Sequence, residues 1–225
     1  MSQRGVARLA RWVVIVGVVA ALWGVAYCIN GITQAGATVK APVSMSQYEG
    51  SGHGNVEVHV DGVTVPGGWL AAGPSGVGIS AGSDGTLTIA APDSTWYEQA
   101  LSRGDAMVYG LGALVGALLL APVLRSIGDG RPFVPGNAGR ISAVAATIVV
   151  AGTLAPMLPE TAGQLVMSRV AETDGADAPF VFGVTLTLVP TCVAILVLAV
   201  AAAFSAGERL DRQAKAMADE LAGLV

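Results

Sequence analysis

Four stretches of this chain run close to a bilayer's width without a single charge: residues 12–32, 106–124, 141–159 and 180–204. A helix rises about 1.5 Å per residue and the hydrocarbon core of a bilayer is about 30 Å thick, so ~20 apolar residues suffice to cross it. The last stretch is long enough to tilt. A soluble fold is a poor alternative. The chain is 53% hydrophobic and only 12% charged, against about 25% charged in ordinary soluble domains, and a water-facing surface of this composition would carry large apolar patches.

The fold class expected is therefore a mainly α membrane protein with four transmembrane helices and a small β-rich extracytoplasmic domain between the first two. The map runs as follows: N-terminus 1–11, first span 12–33, outer domain 34–104, second span 105–124, hairpin 125–140, third span 141–160, outer link 161–179, fourth span 180–205, and an amphipathic C-terminal helix 206–225. The first span has a rival reading. Arg4, Arg8 and Arg11 ahead of it and Ala35-Gly36-Ala37 behind it imitate a cleavable signal peptide, but such apolar regions are usually about 7–15 residues long. Bulky Tyr27 likewise argues against a lipoprotein cysteine at Cys28.

Orientation follows from where the cations fall. Arg4, Arg8, Arg11, Arg125, Arg131, Arg140, Arg209, Arg212 and Lys215 lie on one side; of the 12 Lys and Arg only Lys40, Arg103 and Arg169 lie on the other, among many acids. That predicts a cytoplasmic (inner) cell membrane protein with both termini in the cytoplasm. The net charge of −4 hides this sorting. No basic cluster interleaves with aromatics, so no direct nucleic-acid contact is expected. Cys28 and Cys192 are too few for a disulfide framework and read as small apolar fillers at helix interfaces.

The hairpin, RSIGDGRPFVPGNAGR, is dense in turn chemistry. Asp129-Gly130 reads as a turn, and Pro132 biases Arg131 away from helix. Pro135-Gly136 suits the centre of a type II turn, and Asn137 the N-cap of helix three. Phe133 would dip toward the lipid headgroups. Beyond the fourth span, Leu210, Ala214, Met217 and Leu221 recur at helical spacing opposite Arg212, Lys215, Asp219 and Glu220. A helix of this kind lies on the inner membrane surface or packs on the hairpin.

In the outer domain, Val56, Val58 and Val60 alternate with polar residues and Asp61-Gly62 precedes Val63-Thr64-Val65. This predicts a hairpin pairing Val60 with Val63 and Val58 with Val65. A second hairpin would join 76–80 to 86–90. Thr95-Trp96-Tyr97-Glu98 fits a capping box at a helix start, with Trp96 and Tyr97 at the membrane boundary. Pro156 and Pro159 should end or bend helix three.

His53, Glu57, His59 and Asp61 could be assembled into a metal site only on paper, since structural zinc sites use four dedicated ligands. A solvated strand face is the plainer reading. No nucleophile elbow, phosphate loop or zinc-protease motif occurs, so neither an enzyme nor a cofactor is expected. Gly112 and Gly116, and Gly17 and Ala21, have the spacing that lets helices approach closely. Pro190, with Thr185, Thr187 and Thr191, would kink helix four.

Ile127-Gly-Asp-Gly-Arg-Pro-Phe133, Asn137-Ala-Gly-Arg-Ile141, Phe204-Ser-Ala-Gly-Glu-Arg-Leu210 and the final Gly-Leu-Val together resemble a bacterial family of four-span membrane proteins of unknown function. The likeness covers most of the chain outside the outer domain, and Phe133, Asn137 and Arg140 match its pattern at the start of helix three. It implies a cytoplasmic partner, because family members often accompany a small helix-turn-helix regulator. The outer domain departs from the family in being longer.

The expected function is a non-enzymatic integral membrane protein, a sensor or scaffold engaging a cytoplasmic regulator. Its partners would be the lipid bilayer and that regulator, with Arg131, Phe133, Asn137, Arg140, Leu210, Met217 and Leu221 as the docking residues. The alternative is a small transporter or channel subunit, a homo-oligomer lined by Thr185, Thr187 and Thr191. The absence of charge within the spans argues against it.

Overall fold

In a computed structural model the described residues are 3–45, 57–60, 63–66, 78–81, 87–174, 180–181 and 187–222. In chain order they form α1 (Gln3–Ile32), β1 (Val39–Met45), β2 (Glu57–Val60), β3 (Val63–Pro66), β4 (Gly78–Ala81), β5 (Leu87–Ala91), α2 (Trp96–Ser102), α3 (Gly104–Gly128), α4 (Asn137–Asp174), β6 (Phe180–Val181) and α5 (Val189–Ala222).

Among the described residues, four helices are long and apolar enough to cross a membrane. Only 22% of the apolar window of α1, α3 and α4, and 11% of that of α5, is buried within the chain. Side chains such as Trp23, Leu22 and Leu196 are left exposed. Apolar surface on this scale needs an apolar solvent. The chain is a multi-pass membrane protein.

The helices overrun the expected spans. α1 begins at Gln3, not 12, because nothing in its opening residues stops a helix and Val6 and Ala10 are buried by packing. α4 continues to Asp174, so the expected link at 161–179 is largely helix, and neither Pro156 nor Pro159 ends it. The start of the expected fourth span is wrong as well: residues 180–181 are strand and α5 starts at Val189. Pro190 therefore stands in the first turn of α5, where its missing N–H costs nothing, and is no mid-helix kink. α5 then runs unbroken through Ala222, so the C-terminal amphipathic stretch is a continuation of the fourth span and not a separate helix.

The chain divides into two compact units. One comprises residues 24–107 and 154–186 and carries a four-stranded sheet in the order β4-β5-β1-β6 and a two-stranded β2-β3 sheet. All pairings are antiparallel. The β2-β3 hairpin has the expected register, Val58 opposite Val65 and Val60 opposite Val63. The second expected hairpin is β4-β5, with Ala81 opposite Leu87. β1 and β6 were not anticipated. β1 alternates buried Val39, Ala41 and Val43 with exposed Lys40 and half-buried Pro42, and its end takes up β6, with Ser44 opposite Val181. Val39, Ala41, Ile89 and Ala91 join Ala162 and Val166 of α4 among the buried residues, and Gly163 lies directly against the Pro42 carbonyl.

In this unit α2 is seated by the expected capping box. The Thr95 N–H donates to Glu98 Oε2 at 2.8 Å, and the Thr95 hydroxyl accepts from the Glu98 N–H at 3.4 Å. Glu98 is wholly buried, and its other oxygen accepts from Arg169 Nε of α4 at 3.0 Å. Arg169 also donates to the Pro92 carbonyl at 3.2 Å. Arg103 closes the α1 side, donating to Asn30 and Gln34 and lying 5.3 Å from the Tyr27 ring centre. Gly24 packs so tightly on Ala106 and Met107 that a Cβ would strike the Ala106 carbonyl. Cys28 is buried here, its thiol 3.6 Å from the Ala100 carbonyl; Cys192 is exposed on α5 and fills no interface among the described residues.

The other unit comprises residues 1–23, 108–153 and 187–225. Small residues set its spacing. Gly17 of α1 lies against Ala117 and Leu114 of α3, and Gly110 against Ala20 and Ala21. Gly112 meets Ala151 of α4, and Gly152 of α4 meets Pro190 of α5. A Cβ at Gly116 would meet open space among the described residues, so there the close approach is made at the first glycine of the Gly112/Gly116 pair. In membranes, where burial from water gives no drive between helices, such close approach maximises dispersion contact.

Candidate functional site

The distinctive residues of the second unit gather where α3, the 129–136 hairpin, the start of α4 and α5 meet. α3 ends in a Schellman motif. Gly130 adopts φ +72°, its N–H donates to the Ile127 carbonyl at 3.1 Å, and the Arg131 N–H donates to the Ser126 carbonyl at 2.9 Å. This left-handed position favours glycine because a side chain there crowds the backbone. The expected Pro135-Gly136 turn follows: Gly136 has φ +94°, and the Asn137 N–H donates to the Val134 carbonyl at 3.2 Å.

Asn137 behaves otherwise than expected. It lies inside the first turn of α4 and does not cap it. Its side chain is wholly buried and turned back across the hairpin, where Nδ2 donates to Ser126 Oγ at 2.7 Å and to the Pro132 carbonyl at 2.9 Å. Oδ1 accepts from Arg140 Nη1 at 3.2 Å. The Ser126 hydroxyl in turn donates to the Val123 carbonyl at 2.8 Å. Both amide hydrogens and the carbonyl oxygen are thus used, which is what permits burial of so polar a group.

Phe133 has one face on α5. Its ring meets Phe204 edge-on at 5.9 Å between centres, and Gly207 lies so close that a Cβ there would overlap the Phe133 ring. Phe204 in turn packs on the buried cluster of Val123, Ile141 and Ala201. One turn further along α5, Glu208 accepts from the Ala138 N–H at 3.3 Å, supplying the orphan amide at the start of α4 that Asn137 leaves unserved.

The two stretches that stood out in the sequence, 127–141 and 204–210, are therefore two halves of one contact. Of the expected docking residues, Phe133 is committed to it, while Asn137, with Arg140 on its Oδ1, ties the hairpin to the end of α3. Arg131 is exposed beside it. Leu210 and Met217, at 65% and 59% exposure, do not pack on the hairpin, contrary to one expectation for this segment. The side chain of Leu221 lies outside the described residues. Ser126, Gly207 and Glu208 were missed as contributors. The only available signal was a glycine in the middle of a helix, flanked at i−3 by Phe204 and at i+1 by Glu208.

No family model, no curated protein and no solved structure matches this chain.

As for metal chemistry, no group of three or more His, Cys, Asp or Glu suited to holding an ion occurs among the described residues. His53, Asp61 and the side chains of Glu57 and His59 lie outside them.

Proposed function

We propose that this protein is a non-enzymatic membrane scaffold that presents the exposed end of α5 to a cytoplasmic regulator. The observation that carries the reading is the continuity of α5: its apolar segment passes without a break into a stretch where Leu210 and Met217 are exposed at helical spacing. The Phe133–Phe204 and Glu208–Ala138 contacts fix the base of that stretch, so it leaves the hairpin in a set direction instead of swinging on a loop. Asp211 and Lys215, paired at 2.6 Å, and the neighbouring charges keep the opposite side polar.

An amphipathic helix held in this way suits recognition by an apolar groove. The likeness of 127–141 and 204–210 to four-span bacterial proteins accompanied by a small helix-turn-helix regulator supplies the kind of partner. Positive residues at this end support placing it in the cytoplasm of a cell with an inner membrane. The sheet-bearing unit would then stand outside, as the sensing part of the scaffold.

The test is co-purification of the full chain in detergent with a co-expressed small helix-turn-helix regulator. Leu210→Glu combined with Met217→Glu should abolish recovery of the regulator while leaving the amount of membrane-extracted protein unchanged. Equal recovery with the double variant, or none with the unaltered chain, would exclude the reading.

A further inference from the structure

A cleft of about 300 Å³ opens between the start of α1 and the end of α3, lined by Ala7, Arg11, Arg125, Gly128 and Asp129. At Gly128 an added Cβ would crowd Val6 of α1, so the glycine lets the two helices come together beside the cleft. Ala7 and Arg11 are one turn apart on α1, and Asp129 lies just past the end of α3, one turn beyond Arg125, so both elements offer one cation to the same opening. Both guanidinium groups are on exposed residues, and neither belongs to an ion pair among the described residues, with Asp129 or any other acid.

The depth of the cleft is marked by its neighbours. Trp12, next to Arg11, is 63% exposed, and aromatic residues of this kind favour the membrane boundary. Further along the same two helices, Val16 and Leu118 present exposed apolar surface. Two arginines at headgroup level above lipid-facing apolar sides make a site of mixed chemistry. Guanidinium binds phosphate oxygens in pairs, and basic pockets between spans hold anionic headgroups.

We infer that this cleft holds the phosphodiester headgroup of an anionic phospholipid, gripped by Arg11 and Arg125. Free inorganic phosphate offers the same oxyanion but has no acyl chains for the apolar surfaces to hold. The site is separate from the proposed docking end of α5 and stands or falls without it.

The test is native mass spectrometry of the full chain in neutral detergent with phosphatidylglycerol, phosphatidylcholine or inorganic phosphate added. The unaltered chain should retain phosphatidylglycerol in preference to phosphatidylcholine. Arg11→Gln with Arg125→Gln should reduce that preference by about thirtyfold, while Arg212→Gln, at a cation remote in sequence, leaves it intact. Asp129→Asn removes a carboxylate from the cleft and should strengthen retention, a gain that misfolding could not produce. A double variant with the original preference, equal loss in Arg212→Gln, weaker retention in Asp129→Asn, or displacement of the lipid by millimolar inorganic phosphate would each overturn the assignment.

Discussion

Asn137 illustrates how much of this fold rests on single polar side chains. Both of its amide hydrogens are engaged, one by Ser126 of α3 and one by the Pro132 carbonyl, so only a side chain with two donors and an acceptor at that reach will serve. Asn137→Asp keeps the shape but removes both donors and sets a carboxylate against two oxygen acceptors. It should therefore destabilise more than Asn137→Ala, for which about 1–2 kcal/mol is expected; thermal unfolding in detergent ranks the two. In the sheet-bearing unit, Glu98 serves both as the N3 residue of the capping box and as the partner of Arg169. Glu98→Gln preserves part of the cap but weakens the ion pair, whereas Glu98→Ala loses both and should cost about 2 kcal/mol or more. If Glu98→Gln unfolds at the temperature of the unaltered chain, the ion pair contributes nothing beyond the cap.

At the scale of elements, small residues decide which helices meet. Gly24 and Gly207 allow contacts that any side chain would prevent, the first of helix on helix and the second of helix on an aromatic ring. Gly207→Val must push Phe133 away and release the start of α4 from Glu208. We expect it to lower the unfolding temperature and to raise amide hydrogen exchange at 137–140 above that of the unaltered chain. Unchanged exchange there would show that the ring contact does not hold the hairpin. α5 itself gains length from propensity: Ala, Leu, Glu, Arg, Lys and Gln dominate 207–222. No glycine or proline follows Gly207 within the described helix to stop it, which is why span and tail form one rod.

For the molecule as a whole, lipid is the required solvent of four helices whose side chains are mostly left unburied by the chain itself. The distribution of Lys and Arg predicts that a tag fused after Val225 is protected from added protease in intact cells and digested once the membrane is opened. Cleavage from outside would reverse the proposed topology and place the α5 end away from any cytoplasmic regulator. Within the sheet-bearing unit, strands from both sides of α2 to α4 share one sheet, since β6 follows α4 in the chain yet pairs with β1. Loss of the β1–β6 pairing, for instance by Ser44→Pro, should therefore loosen that unit without altering membrane insertion.

Features with a local cause were legible in the sequence. Charge-free runs specify helices in lipid, Asp61-Gly62 between alternating valines specifies a register, Thr95 and Glu98 specify a cap, and Pro135-Gly136 specifies a turn, because each depends on residues within a few positions of one another. Features that needed two distant segments were not. Nothing near β1 indicates that residues 180–181 will extend its sheet, and nothing near Asn137 indicates that its amide will turn away from the helix start once Glu208 arrives to serve it. Helix ends fall in the same class: Pro156 and Pro159 argue for an end or a bend in α4, but burial of Ala162 and Val166 and the contact of Gly163 with Pro42 of β1 stabilise the helix beyond them. The sequence by itself determined the solvent, the number of spans and the turns; the tertiary structure alone decided where helices end and which turn residues were free and which were consumed, because burial and partner geometry are properties of segments brought together, not of neighbours along the chain.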